Sequence, residues 1–132
     1  MYSADACPDT CRIDRYPRTA GKGDATMNTA GNRPEIGKRV EAAGIGTNYL
    51  ESGSGSTVVL VHGSGPGVSA YANWRLTMPD LSSEHRVLAP DMAGFGFSDR
   101  PGSYDMDLWL RQLLGFFDAL DIERASLVGN SF

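Results

Sequence analysis

The run Thr57-Val-Val-Leu-Val61 restricts the fold of this chain more than any other feature. It carries no charge, and all but Leu60 are β-branched, which favours extended backbone. A strand with one wet face alternates apolar and polar residues; an unbroken apolar run is instead buried on both faces, as in a parallel sheet covered by helices. The run stops at His62-Gly-Ser-Gly-Pro-Gly67, where three glycines around a proline end regular structure.

The same rhythm recurs downstream. His85-Arg-Val-Leu-Ala-Pro90 reads as a second such strand and leads into the glycine-rich stretch Asp91 to Asp99. Ala125-Ser-Leu-Val128 reads as a third and runs into Gly129-Asn-Ser-Phe132. Between them, Trp74, Met78 and Leu81 fall at helical spacing within Tyr71 to Leu81, with Pro79 weakening the end. Met106 to Leu120 is the strongest helix, with Leu110, Leu113, Leu114, Phe117 and Leu120 at steps of three and four. Asp105 and Asp107 suit its positive N-terminus. This alternation predicts the α/β class, built from right-handed βαβ units. Ahead of it, Lys38 to Ala43 and Thr47 to Ser52 around Gly44-Ile-Gly46 predict an antiparallel hairpin, joined by the polar connector Gly53-Ser-Gly-Ser56.

This organised body begins at Pro34. Residues 1–33 carry five basic side chains against four acidic ones and, in Ile13, almost their only large aliphatic residue. Such a segment buries too little apolar surface to offset its ordering entropy and is expected to be disordered. The whole chain has 132 residues, one domain's worth, and a net charge of −4, which gives no footprint for nucleic acid or an anionic membrane. Its 41% hydrophobic and 21% charged residues argue against wholesale disorder. No apolar run approaches the roughly 20 residues that span a bilayer, and Met1 to Pro8 lacks the apolar core of a secretory signal. A cytoplasmic protein is expected. Cys7 and Cys11 are read as incidental thiols: a metal site would need two more ligands, and His62 and His85 lie far along the chain.

The chemistry is expected where the chain leaves the carboxyl ends of the strands. After Val61, the glycines let backbone N–H groups approach a ligand closely. No lysine follows as a phosphate loop requires, and Pro66-Gly67 breaks the dinucleotide spacing. A set of N–H donors for a developing oxyanion is the better reading. The exit at Asp91 to Asp99 is consistent with a plain turn. At the third exit, Gly129-Asn-Ser131-Phe supplies four of the five positions of G-x-S-x-G, the strand-to-helix elbow that presents a nucleophilic serine.

Together, Leu60-Val-His-Gly-Ser-Gly-Pro-Gly67, Ala72-Asn-Trp-Arg75, Leu88 to Asp99 and Leu127-Val-Gly-Asn-Ser-Phe132 resemble the α/β-hydrolase fold superfamily. More narrowly, they resemble the meta-cleavage product hydrolases of the 2-hydroxymuconic semialdehyde hydrolase type. The resemblance covers residues 34 to 132. It implies an antiparallel hairpin leading into a mostly parallel sheet with flanking helices, and a serine-dependent cleavage of a carbon–carbon bond in ring-fission products of aromatic catabolism. Ser131 matches the nucleophile, and the backbone N–H groups of Ser64 and Phe132 match the oxyanion hole. Gly63 and Gly65 match the loop that approaches substrate, and Asn73 and Asn130 match polar residues aimed at its dienol and carboxylate end. His62 in this pattern orients the loop and is not the catalytic base. The implied partner is a small-molecule dienol or dienone, with no metal or organic cofactor, and the full-length protein is implied to be an oligomer.

In this fold the acid and histidine follow the serine. Both histidines here precede Ser131, so the chain is expected to be an N-terminal piece of a hydrolase of roughly 250–300 residues, cut at the elbow. Alone it is expected to be inactive and poorly folded, and translation is expected to start at Met27, leaving 1–26 upstream. The alternative readings are an esterase or aminopeptidase of the same fold, or a non-catalytic remnant.

Overall fold

A computed structural model describes Thr26–Met27 and residues 33–131 of the chain. The thiols Cys7 and Cys11, most of the segment expected to be disordered, and Phe132 lie outside the described residues.

Six strands form one mixed sheet in the order β1-β2-β3-β5-β4-β6. β1 (Thr26–Met27), β2 (Lys38–Ala42) and β3 (Ile45–Ser52) run antiparallel, and β3 pairs antiparallel with β5 (Arg86–Pro90). β4 (Thr57–Val61) lies parallel to β5 on one side and to β6 (Ser126–Gly129) on the other. The hairpin is tighter than the glycine spacing suggests. Its turn is Ala43-Gly44, both at positive φ (52° and 80°), and Ile45 and Gly46 are already paired with Ala42 and Glu41. A two-residue turn with both φ positive matches the twist of the flanking strands, and it puts the Ile45 side chain in the core.

Both faces of β4 are covered, as its unbroken apolar run requires. Val58 and Leu60 join Val87, Ala89, Ala70, Trp74 and Met78 on one face; Val59 joins Leu88, Val40, Tyr49 and Phe116 on the other. The first face is covered by α1 (Ala70–Trp74) and α2 (Met78–Leu81), the second by α3 (Met106–Ala119). The single helix expected over Tyr71 to Leu81 is thus two. Pro79 cannot donate to an i−4 carbonyl and its ring crowds that position, so the turn before it opens; Pro79 then sits in the first turn of α2, where its missing N–H costs nothing.

The Asp105 carboxylate caps α3, accepting from Leu108 N at 2.7 Å. The helix faces the sheet with a stripe rotated from the one its leucines suggest, which keeps Leu113, Phe117 and Leu120 against the core. Phe116 and Gln112 are buried, whereas Leu110 is exposed. Phe116 meets Tyr49 edge to face at 5.2 Å, and Gln112 is held by three hydrogen bonds described below. Those contacts set the rotation of the helix, and Leu113, Phe117 and Leu120 close its flank.

Candidate active site

The chain leaves β4 along one face through α1 and α2 to β5, then crosses the other face through α3 to β6. The winding therefore reverses at β4, and the parallel strands release their loops at one end, the usual place for a ligand in such sheets. Asn130 N donates to Val61 O at 3.0 Å, so the exits of β4 and β6 stay joined one step beyond the ladder. Gly63 has no side chain because there is no room for one. A Cβ there would sit 2.8 Å from Asn130 O.

Ser131 follows directly. It is exposed and has φ +53°, a left-handed conformation that costs a non-glycine residue about 1–2 kcal/mol. Strain of this kind persists where the surrounding structure imposes it and is found most often at functional sites.

Asn73 comes to the same place from α1. That helix is capped by Ser69, whose extended backbone (φ −148°, ψ 169°) lets Oγ accept from Ala72 N at 3.1 Å. One turn on, Asn73 Oδ1 accepts from both Gly63 N (3.3 Å) and Asn130 Nδ2 (2.9 Å). The structure therefore brings Gly63, Asn73, Asn130 and Ser131 together. With the Gly63 N–H taken, Ser64 is the next loop residue to present one; it is exposed. Gly65 lines an open cleft of about 410 Å³ between Gly65–Val68 and Gly94–Gly96, with Arg100 at its side.

His62 is fully buried and has both ring nitrogens engaged. Nε2 accepts from Met92 N at 2.9 Å, so Nδ1 carries the proton and donates to Gly63 O at 2.7 Å. Burial lowers its pKa below the usual 6.5, opposed by the hydrogen bond to Gly63 O and the charge of Asp91. A neutral imidazole thus ties the exit of β4 to that of β5. His85 lies before β5 and its Nδ1 bonds to Ser56 Oγ at 2.8 Å. Trp74 is in the core, and Trp109 stacks on Tyr104 and donates to Ala93 O at 3.0 Å.

Four polar residues near the site escaped the sequence reading: Asn48, Asp91, Ser98 and Gln112, all buried. Gln112 Oε1 accepts from Ala93 N (2.7 Å), and its Nε2 donates to Thr47 Oγ1 (2.9 Å) and Asp91 O (3.2 Å). The available signals were a carboxylate directly after the apolar strand at Pro90 and an amide inside the apolar periodicity of α3. Among the described residues, no cluster of three or more His, Cys, Asp or Glu side chains is arranged to hold a metal ion.

Comparison with known proteins agrees with this fold. Residues 56–132 match the family model described as alpha/beta hydrolase fold. The chain is 56% identical over 108 residues to a 2-hydroxymuconate semialdehyde hydrolase of Pseudomonas sp. strain CF600, covering 80% of this chain and 38% of that protein. It is 57% identical over 100 residues to a 2-hydroxy-6-oxo-2,4-heptadienoate hydrolase of Pseudomonas putida strain F1, covering 74% and 36%. Among solved structures it resembles a meta-cleavage product hydrolase from Pseudomonas fluorescens IP01, with a TM-score of 0.70 and 60% identity over 73% of this chain and 36% of that one. The chain spans under two-fifths of the length of these relatives.

Proposed function

The chain belongs to the alpha/beta-hydrolase fold family, and on that premise we propose that the complete enzyme built on it hydrolyses a carbon–carbon bond in ring-fission dienoates of aromatic catabolism. The observation that carries the reading is Ser131 at φ +53° on the carboxyl end of β6, beside the glycine loop that follows β4. In this reading the dienol is ketonised to a vinylogous diketone, and Ser131, or a water it helps to activate, attacks the ketone. Oxygen bonds to the carbonyl carbon, and the adjacent carbon–carbon bond breaks. Its electron pair passes to the shorter fragment, which leaves as a dienolate. That fragment takes up one proton, balancing the one lost by the attacking O–H, to give the dienol of the shorter keto acid. Where Ser131 attacks, water then hydrolyses the acyl-serine to the carboxylic acid; where water attacks, the acid forms directly.

The residues of this chain divide that work. In this reading the backbone N–H groups of Ser64 and Phe132 are the donors to the developing oxyanion, a role for which donors fixed in advance are most effective. Asn73 and Asn130 hold the dienol and carboxylate end, and Gly63 and Gly65 let the loop come close. The 56–57% identity to hydrolases of 2-hydroxymuconate semialdehyde and of a 2-hydroxy-6-oxo-dienoate supports this substrate class over an ester or a peptide. No helix among the described residues is long and apolar enough to cross a membrane, and the net charge of −4 disfavours nucleic acid, which supports a cytoplasmic, small-molecule enzyme. We propose that the complete enzyme is an oligomer, on family resemblance alone.

The test is competitive turnover by the complete enzyme of 2-hydroxymuconate semialdehyde, a p-nitrophenyl ester and an amino-acid p-nitroanilide. The dienoate is expected to give the highest kcat/KM. Preference for the ester or the anilide would replace this reading with an esterase or aminopeptidase.

A further inference from the structure

We propose that Asp91 is a positioning residue for this reaction: its carboxylate fixes α1, and through α1 the Asn73 bridge that holds Gly63 and Asn130 beside Ser131. The inference rests on the reading of Ser131 as the nucleophile.

Asp91 is 1% exposed, yet no Lys or Arg pairs with it among the described residues. Its charge is met by hydrogen-bond donors instead. Oδ1 accepts from Ala70 N at 2.7 Å; Oδ2 accepts from Asn48 Nδ2 at 2.8 Å and Phe97 N at 2.9 Å. Its backbone is equally engaged, with the N–H donating to Asn48 O at 2.8 Å and the carbonyl accepting from Ser98 Oγ and Gln112 Nε2. Bonds to an ionised acceptor are about twice as strong as neutral ones, and a buried donor deprived of its acceptor bears the full desolvation cost. Such a carboxylate is a rigid joint.

The joint connects to the site by a short path. Ala70 is the first residue of α1, and Asn73 lies one turn further along it. Asn73 Oδ1 then receives Gly63 N and Asn130 Nδ2 at once. A small shift of α1 would separate those two donors, and with them the glycine loop and the elbow. Positioning errors of about 1 Å cost up to about 10²-fold in rate. The second oxygen, through Phe97 N, sets the loop that walls the cleft opposite Gly65.

Asp91→Asn is the direct test in the complete enzyme. The amide keeps its oxygen for the pair of donors at Asn48 and Phe97 and turns its NH2 toward Ala70 N, releasing α1. A 10- to 100-fold fall in kcat with KM within threefold is expected, for both 2-hydroxymuconate semialdehyde and p-nitrophenyl acetate. Asn48→Ala, which removes a donor on the far side of the same carboxylate, is expected to lower the melting temperature but keep kcat within threefold. Ala70→Pro is the second variant. Ser69 already has the extended backbone that precedes a proline, and a first helical position tolerates one, so the helix keeps its own bonds. The N–H to Asp91 is lost and the ring Cδ takes its place against Oδ1, which drives the carboxylate and α1 apart. It is expected to reproduce the fall in kcat. A folded Asp91→Asn or Ala70→Pro enzyme with kcat within threefold of the parent overturns the proposal, as does a fall in kcat for Asn48→Ala as large as that for Asp91→Asn. If both site variants are recovered only unfolded, Asp91 is a folding residue and the proposal fails. If the parent cleaves the ester but not the dienoate, the substrate reading fails while the role of Asp91 is still decided by the ester rates. A parent inactive on both overturns the two together.

Discussion

β5 and β6 carry similar apolar runs and open at the same end of the sheet, yet their exits are built in opposite ways. β5 is paired on both sides, and the residue that follows it, Asp91, is buried under hydrogen bonds from four other segments of the chain. Among the described residues β6 pairs only with β4, and in this chain, which spans under two-fifths of its relatives, Leu127 and Val128 are 48% and 41% exposed and Ser131 follows at φ +53°. The exit of β5 is fixed by buried bonds made within this chain, whereas the bonds at the exit of β6 are those of Asn130, to Val61 O and to Asn73 Oδ1. On the proposed reading of Ser131, the β5 exit is the part with enough buried bonds to position the other.

The comparison is broken most sharply at Ser131. Ser131→Ala in the complete enzyme is expected to lower turnover of the dienoate by about 10⁴-fold or more while leaving binding of it within a few-fold, since only the attacking group is removed. Steady-state kinetics paired with calorimetric binding check both halves. Turnover within tenfold of the parent would take the serine out of the chemistry and leave β6 an ordinary strand end.

At the other exit the expected damage is to stability. Gly96 has φ +48°, and a Cβ on it would overlap the Asp91 carboxylate. Gly96→Ala therefore combines an unfavourable backbone with a clash against a group that cannot move without dropping its donors. A loss of about 3 kcal/mol or more is expected from urea unfolding. A loss below about 1 kcal/mol would show that the carboxylate is less firmly held than its bonds indicate.

His62 links the exit of β5 to that of β4 and gives a pH signature. Its folded pKa lies below 6.5, so above pH 6.5 both folded and unfolded forms are neutral and the full stability is present. As pH falls from 6.5 toward the folded pKa, the unfolded chain takes up a proton that the native state refuses. Stability is expected to decline by up to about 1.4 kcal/mol per pH unit across that window. His62→Gln should flatten this part of the curve. Glu51 supplies the contrast at the opposite end of the sheet. Burial raises its pKa, but hydrogen bonds from Lys38 and Arg86 outweigh this and hold it below 4.5, so its contribution is lost only at more acid pH. An unchanged slope in His62→Gln would detach the histidine from the acid limb.

What the sequence revealed and what it hid divide along the same line. Thr57–Val61 was legible as a strand buried on both faces because the pattern is local, and the strand Ser126–Gly129 that leads to Ser131 was legible for the same reason. Asp91 was not. Its partners Asn48 and Ala70 lie 43 and 21 positions away, and nothing near Pro90 says that their donors converge there. Gln112 misled in the same way: helical periodicity gives the spacing of a buried face, and the leucines implied its direction, but three distant partners made an amide the better residue to bury. The break at Pro79 was visible in kind and missed in extent, since the turn it opens lies upstream of the proline.

The smallest effect tests the open side of the comparison. In the chain of residues 1–132, Leu127→Lys is expected to change stability by no more than about 0.5 kcal/mol, because the leucine is already half in water and a lysine stem can lie along the same apolar surface. Its counterpart Leu88→Lys, at 0% exposure in β5, would bury a charge and is expected to abolish folding. A charge on an unpaired edge strand also opposes strand-to-strand association, so Leu127→Lys should shift sedimentation toward monomer if the parent chain self-associates. The informative failure is a cost for Leu127→Lys that approaches the 2–5 kcal/mol range of buried leucine substitutions. That result would mean the β6 edge is covered in solution, and β6 would then belong with β5 as an interior strand.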